Sequence, residues 1–182
     1  MNNHYQNKVR SLTEGGIAIA LATILSFIKF TALPQGGSVT LASMFPLILY
    51  SIRWGWKKGI LVAGVYSLLS MLIKPEIYYP IQVLLDYPFA FMPIGLSGIS
   101  LMKDKSKIQG YLPAVILGHL TRLLSHTLSG VFFFASYAPE GMNVWKYSIG
   151  YNASYMVPEM ILSVIFLFLL WKPLKSLLVK QI

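Results

Sequence analysis

Cysteine is absent from the 182 residues, so disulfides, thiolate metal sites and a cysteine nucleophile are all excluded. Acidic residues are scarce as well: six Asp+Glu stand against fifteen Lys+Arg. Charged residues of both signs make up 12% of the chain, about half the ~25% of an ordinary soluble domain. No GxxxxGK(S/T) phosphate loop is present, so ATP hydrolysis is not expected of this chain. Neither is there an HExxH, and His4, His119 and His126 are not spaced as a metal site. Ser129-Gly130 follows His126 on one helical stretch, which is poor geometry for an activated serine. The net charge of +9 comes with no RNA- or DNA-binding motif. A chain without enzymatic activity, metal, cofactor or nucleic-acid partner is expected.

What the chain has in abundance is hydrocarbon. Hydrophobic residues make 55% of it and mean hydropathy is +0.62, which marks a membrane protein. Six apolar segments, near 9–31, 39–52, 57–74, 80–101, 111–136 and 145–171, are separated by short polar punctuation. A helix needs ~20 residues to cross ~30 Å of hydrocarbon, so the second segment, at roughly 14, is short. The first apolar run is too long for a signal h-region and has no small-residue cleavage site. With no repeat and no linker, the expected fold is all-α: six transmembrane helices in one bundle, a single integral-membrane domain over 1–182.

Orientation follows from the cations. With the N-terminus inside, eleven fall in cytoplasmic segments: Lys8, Arg10, Arg53, Lys57, Lys58, Lys103, Lys105, Lys107, Lys172, Lys175 and Lys180. Two, Lys74 and Lys146, fall outside, while Lys29 and Arg122 fall within spans. That bias places both termini in the cytoplasm, and all these cations except Arg122 read as topological anchors.

Polar residues within the spans then acquire a depth. Asp86 and Tyr87 lie ~9–10 Å in from the outward Pro80, and His126 lies ~15 Å from the outward end of its span, at 1.5 Å per residue. Tyr147, Ser148, Tyr151 and Asn152 occupy the first two turns of the last span. Three helices therefore bring polar atoms to one outward level, as a ligand pocket open to the exterior requires. An ionised carboxylate in hydrocarbon needs a partner, and for Asp86 that partner is read as a ligand. Ser148, Asn152, Tyr155 and Glu159 share one face of the last helix, so one stripe of it is wet or paired. Arg122, His126, Gly130 and Phe134 repeat every fourth residue, with Gly130 either leaving room for a flat ring between His126 and Phe134 or serving ordinary small-residue packing between helices. Arg122 with Glu159 reads equally well as a buried ion pair.

Tyr78, Tyr79, Tyr137, Trp145 and Tyr147 gather at the outward boundary, as an interfacial belt or as faces around a cationic ring. Leu33-Pro-Gln-Gly-Gly-Ser38 is either a turn or a lid in which Gln35, Gly36 and Gly37 close over the pocket. In the first span, Gly16 and Ala20 have the small-xxx-small spacing of a helix-docking face, serving either the chain's own bundle or a partner.

Several stretches together resemble the substrate-binding subunits (S components) of energy-coupling factor vitamin transporters, within them the thiamin-specific group. They are Leu12-Thr-Glu-Gly-Gly, Pro34-Gln-Gly-Gly-Ser-Val, Arg53-Trp-Gly-Trp-Lys-Lys-Gly59, Gln82-Val-Leu-Leu-Asp-Tyr87 and Tyr147-Ser-Ile-Gly-Tyr-Asn-Ala-Ser-Tyr155. The resemblance runs along nearly the whole chain. It implies a bacterial plasma-membrane protein that captures thiamin without pumping it. A transmembrane coupling subunit, contacted through Gly16 and Ala20, and two cytoplasmic ABC ATPases would complete the transporter. It also implies that Asp86, Tyr87, His126, Gly130, Phe134, Tyr147, Ser148 and Asn152 line the thiamin pocket.

Two departures stand out. Some thiamin binders carry tryptophan at the positions of Phe134 and Gly37, and some carry glutamate at the position of Asp86. Less stacking surface and a shorter acid leave hydroxymethylpyrimidine or pyridoxine open as the ligand, and a proton-coupled carrier using Asp86, His126 or Glu159 open as the mechanism.

Overall fold

A computed structural model describes residues 3–179, so Lys180, counted above among the inner cations, lies outside the described residues. Helix α1 (Asn3–Phe27) leads into an antiparallel hairpin, β1 (Lys29–Ala32) and β2 (Ser38–Thr40). Helices α2 (Phe45–Trp54) and α3 (Trp56–Ile73) follow, hinged at Gly55, whose φ of +83° admits glycine without strain. Next come α4 (Pro80–Asp86), α5 (Pro88–Phe91) and a 3-10 segment, Met92–Gly98. Helix α6 (Leu112–Phe133) and the long α7 (Val144–Val179) complete the bundle.

The expectation of an all-α chain needs correcting at the first loop. The first apolar segment ends as a helix at Phe27 and continues as a strand, so Lys29 is not within a helical span but exposed on β1. Aromatic and β-branched residues, Phe30, Thr31, Val39 and Thr40, flank the Pro34-containing turn and favour extended backbone. The fourth segment departs too: it is three short pieces rather than one helix. Pro88 has no N–H to give the preceding turn, and Tyr87 leaves helical geometry at φ −115°, ψ −82°. The broken turn is repaired from outside, because Ser125 Oγ on α6 donates to the Leu85 carbonyl at 2.7 Å. The 3-10 segment then packs backbone to backbone on α3: a Cβ on Gly95 would collide with the Ile60 nitrogen.

Among the described residues three helices, α1 from Tyr5, α3 and α7, are long and apolar enough to cross a membrane. Their outer faces are greasy: Leu61, Val65, Leu68 and Leu72 form an exposed stripe down α3, with Leu72 at 74% exposure. In a soluble protein such a stripe would be a liability, and here it faces lipid. Inside, Leu47, Ile48, Ile52, Ala63, Ala90, Ile94, Val115 and Leu167 are buried, with Tyr111 packed on Trp171.

Arg53, read from the sequence only as a topological anchor, also holds helices together. It is buried, pairs with Glu14 on α1 at 2.5 Å, and donates to the Leu177 carbonyl of α7. Glu14 also accepts from Arg10 Nε at 2.9 Å and Trp54 Nε1 at 2.7 Å. Through Arg53 at the end of α2, this clasp links the first half of α1 to the last turns of α7, away from the hairpin.

Candidate functional site

At the hairpin end the helices diverge around a cavity of about 590 Å³. Its walls include Asp86 and Tyr87 from the α4–α5 break, His126, Gly130 and Phe134 from α6, and Tyr147, Ser148 and Asn152 from α7. Gln35, Gly36 and Gly37 of the hairpin tip also face it. Every residue assigned from the sequence to pocket or lid thus lies on one cavity. Gly16 and Ala20 lie elsewhere, exposed on α1, and a Cβ on Gly16 would meet no atom within 4 Å.

The charged centre is Asp86. Its Oδ1 lies 3.2 Å from His126 Nδ1, and its Oδ2 accepts from Gln82 Nε2 at 2.6 Å. Both members of the Asp86–His126 pair are largely buried. The break at Pro88 is what turns the end of α4 toward α6. Tyr87 is buried beside Asp86, but its hydroxyl is engaged: it donates to the Lys74 carbonyl at 2.8 Å and accepts from the Glu76 N–H at 2.9 Å. It fixes the α3–α4 loop and offers its ring to the cavity.

Ser148 and Asn152 are likewise held by protein. Ser148 Oγ donates to the Thr127 carbonyl at 2.9 Å. Asn152 Nδ2 donates to the Ser148 carbonyl at 2.9 Å, and its Oδ1 accepts from the Tyr155 hydroxyl at 2.7 Å. The choice left open at Gly130 is decided here. A Cβ on Gly130 would run into Ser148 Oγ, so the space belongs to the α6–α7 contact rather than to a ring between His126 and Phe134. The aromatic wall is instead built at the rim. Phe134 stacks on Tyr137 at 5.8 Å with 3° between planes, and Tyr78 meets Phe134 edge-on at 5.6 Å.

Beneath the hairpin sits a second polar cluster. Arg122 Nη1 donates to Glu159 Oε2 at 2.8 Å, with Glu159 only 2% exposed. The other carboxylate oxygen accepts from the Thr40 N–H at 3.3 Å, from the Thr40 hydroxyl, and from Ser43 Oγ at 3.4 Å. Arg122 also lies over the Phe91 ring at 4.9 Å. The stripe Ser148, Asn152, Tyr155 and Glu159 is therefore paired along its whole length.

Sequence reasoning missed Gln82, Thr40 and Ser43 as parts of this site. Gln82 carried a legible signal, a Gln three residues into a helix whose first residue is Pro80. Tyr151 was placed at the outward level by its spacing, but its contact with the hairpin was not legible: its hydroxyl accepts from the Gly37 N–H at 3.0 Å across 114 residues.

A family model described as thiamine transporter protein (Thia_YuaJ) matches residues 12–179. The chain belongs to this thiamine transporter family. It is 41% identical over 180 residues to the thiamine transporter ThiT of Bacillus subtilis (strain 168), covering 92% of this chain and 93% of that protein. It is 27% identical over 178 residues to ThiT of Lacticaseibacillus paracasei, covering 91% and 87%. Among solved structures, ThiT from Listeria monocytogenes superposes with a TM-score of 0.80 at 26% identity, covering 94% of this chain and 98% of that one. Like other members of the thiamine transporter family, this chain is an integral membrane protein.

In this family member the hairpin tip is fitted to α7. A Cβ on Gly37 would lie 2.8 Å from the Tyr155 ring and 2.9 Å from the Tyr151 hydroxyl, so tryptophan has no room at this position with the tip seated on α7. Gly37→Ala is expected to hold the tip away and weaken ligand binding by about five- to tenfold, from an overpacking cost of ~1 kcal/mol or slightly more; a fluorescence titration reads it, and unchanged affinity would show that the tip does not gate the site. Gly130→Ala is expected to displace Ser148, break its bond to Thr127 and cost about 1–3 kcal/mol, read as a lower thermal midpoint in detergent.

Proposed function

We propose that the chain is the S component of an energy-coupling factor transporter, capturing thiamin at the outer face of a bacterial cell membrane. In this reading it crosses the membrane six times with both termini in the cytoplasm. The charge distribution supports that orientation, since Lys57, Lys58, Lys103, Lys105, Lys107, Lys172 and Lys175 all lie on segments at the end away from the cavity. The chain contributes binding only. A transmembrane coupling subunit docking on Gly16 and Ala20, and two cytoplasmic ABC ATPases, supply the energy.

The observation that carries the reading is the Asp86–His126 pair set in one cavity with Phe134, Tyr137 and Tyr147. A cavity of about 590 Å³ suits a vitamin-sized molecule, within the ~300–1,000 Å³ typical of ligand sites. Thiamin carries a positive thiazolium and a hydrogen-bonding aminopyrimidine. Asp86 balances that charge or accepts from the amino group, His126 and the rim aromatics take the ring faces, and Asn152 Oδ1, with a lone pair beyond the one Tyr155 uses, fixes orientation. The tip at Gln35, Gly36 and Gly37 closes over the bound molecule. Ser148, Gly130 and Tyr87 contribute by setting the wall.

The test is a titration of the purified chain in detergent, following tryptophan fluorescence with thiamin, hydroxymethylpyrimidine and pyridoxine in parallel. Saturation by thiamin at sub-micromolar concentration supports the proposal. Preference for either of the others keeps the transport role and replaces the ligand. Uptake by liposomes that hold this chain alone, driven by a proton gradient, would replace the S-component mechanism by a carrier.

A further inference from the structure

Gln82 is fully buried and all four of its hydrogen-bonding positions are in use. Its Oε1 accepts from the N–H groups of Tyr78 at 3.1 Å and Tyr79 at 3.4 Å. Its Nε2 donates to the Glu76 carbonyl at 3.0 Å and to Asp86 Oδ2 at 2.6 Å. The first pair of bonds caps the start of α4, a task that glutamine and glutamate perform equally well at the third helical position. The second pair can be made only by an amide, because a carboxylate has no N–H to donate.

Resting on the reading of Asp86 as the ligand's acid, we infer that Gln82 is the positioning residue of this site. Its amide holds Oδ2 from behind, so the carboxylate presents Oδ1 to His126 and the cavity. The same amide ties Asp86 to the 76–79 backbone, which carries Tyr78 against Phe134. Acid and aromatic rim are thus set by one side chain that touches no ligand. A carboxylate free to rotate in a low-dielectric wall would have to be reordered on every binding event, and fixing it beforehand removes that cost.

Gln82→Glu separates the two roles. It keeps the cap acceptor and nearly the same volume, but sets a second carboxylate against Asp86. While both are ionised the two carboxylates repel and neither has a proton to donate, whereas in acid the one proton taken up by the pair supplies an O–H that restores the bridge. The other titratable groups on this cavity include His126 and Arg122 from α6, Tyr155 and Glu159 from α7, Lys74 and Glu76 from the α3–α4 loop, and the neighbouring Tyr87. All are unchanged in the variant, so the comparison is the ratio of variant to wild-type Kd for thiamin at each pH.

That ratio is expected to be about tenfold or more at pH 7.5 and to fall to within about threefold at pH 5.5. Gln82→Met, of similar length and without either hydrogen-bonding end, is expected to bind more weakly than wild type with no recovery in acid. A Gln82→Glu ratio that stays near one, or one that is large and independent of pH, overturns the inference and leaves Gln82 as a cap. Wild-type affinity in Gln82→Met also overturns it. Failure of the underlying reading looks different: wild type would then not bind thiamin, or Asp86→Asn would bind as wild type.

Discussion

Thiamin affinity is expected to fall by about a hundredfold or more in Asp86→Asn. The Asp86 side chain is only 17% exposed, with Oδ1 beside His126 and Oδ2 held by Gln82, so its charge acts where water screens it weakly. Truncating one partner of a buried, hydrogen-bonded charge pair costs about 2–5 kcal/mol, and each 1.4 kcal/mol is tenfold in Kd. Asparagine keeps the size and loses both the charge and one acceptor. It also turns an N–H toward either the Gln82 amide or the cavity. Asp86→Glu, which restores the charge at a longer reach, is expected to stay within about tenfold of wild type. Titration of both variants in detergent decides the matter. An asparagine variant that binds as tightly as wild type would remove Asp86 from the ligand and leave its pairing with His126 structural.

The largest loss of stability is expected from breaking the Arg122–Glu159 pair. Glu159 is 2% exposed and Arg122 is nearly as enclosed, so removing either partner strands a charge in the bundle. The cost of stranding such a charge is about 3–5 kcal/mol, which for a chain of this size is on the order of 10 °C in thermal midpoint. Arg122→Met leaves Glu159 with only the hairpin groups, Thr40 and Ser43. Glu159→Gln leaves the guanidinium against Phe91 without a counter-charge. The double variant, Arg122→Met with Glu159→Gln, is expected to recover most of the loss, because well-packed neutral groups replace a buried ion pair at little cost. Thermal unfolding of the three variants in detergent tests this. Because Glu159 also holds the base of β2 through Thr40, the single variants should bind ligand more weakly as well, with the tip no longer seated on α7. Single variants that melt with wild type would show that the pair contributes nothing to the fold.

Residues that act through a local pattern were legible beforehand. Asp86 announced itself as an acid in an apolar run, and Ser148, Asn152, Tyr155 and Glu159 fell on one helical face by spacing alone. Gly130 shows where such reasoning stops: its every-fourth-residue pattern left a gap for a ring and packing between helices both open, and only the Ser148 hydroxyl from another helix decides for packing. Arg53 was incompletely read for a related reason. A cation near a span end reads only as an anchor until the neighbouring helices show that it is buried against Glu14 and the end of α7. Pro88 was visible all along, but whether a proline kinks, breaks or merely opens a helix depends on what meets the carbonyls left free at the break, here Ser125 of α6 at the Leu85 carbonyl.

The sequence by itself determined that this chain lives in a membrane, which of its segments are apolar and where its cations gather. It also marked which polar residues are too costly in hydrocarbon to be idle. Those properties belong to composition, periodicity and the solvation cost of single groups, all of which are local. Only the tertiary structure decided that the first loop is a hairpin, that its Gly37 closes on Tyr151, and that Glu159 serves the hairpin as well as Arg122. It likewise decided that Gln82 stands behind Asp86 while bonding the 76–79 backbone. Each of these depends on which of many possible partners a buried polar atom meets, and that choice is made by helix packing rather than by any stretch of chain.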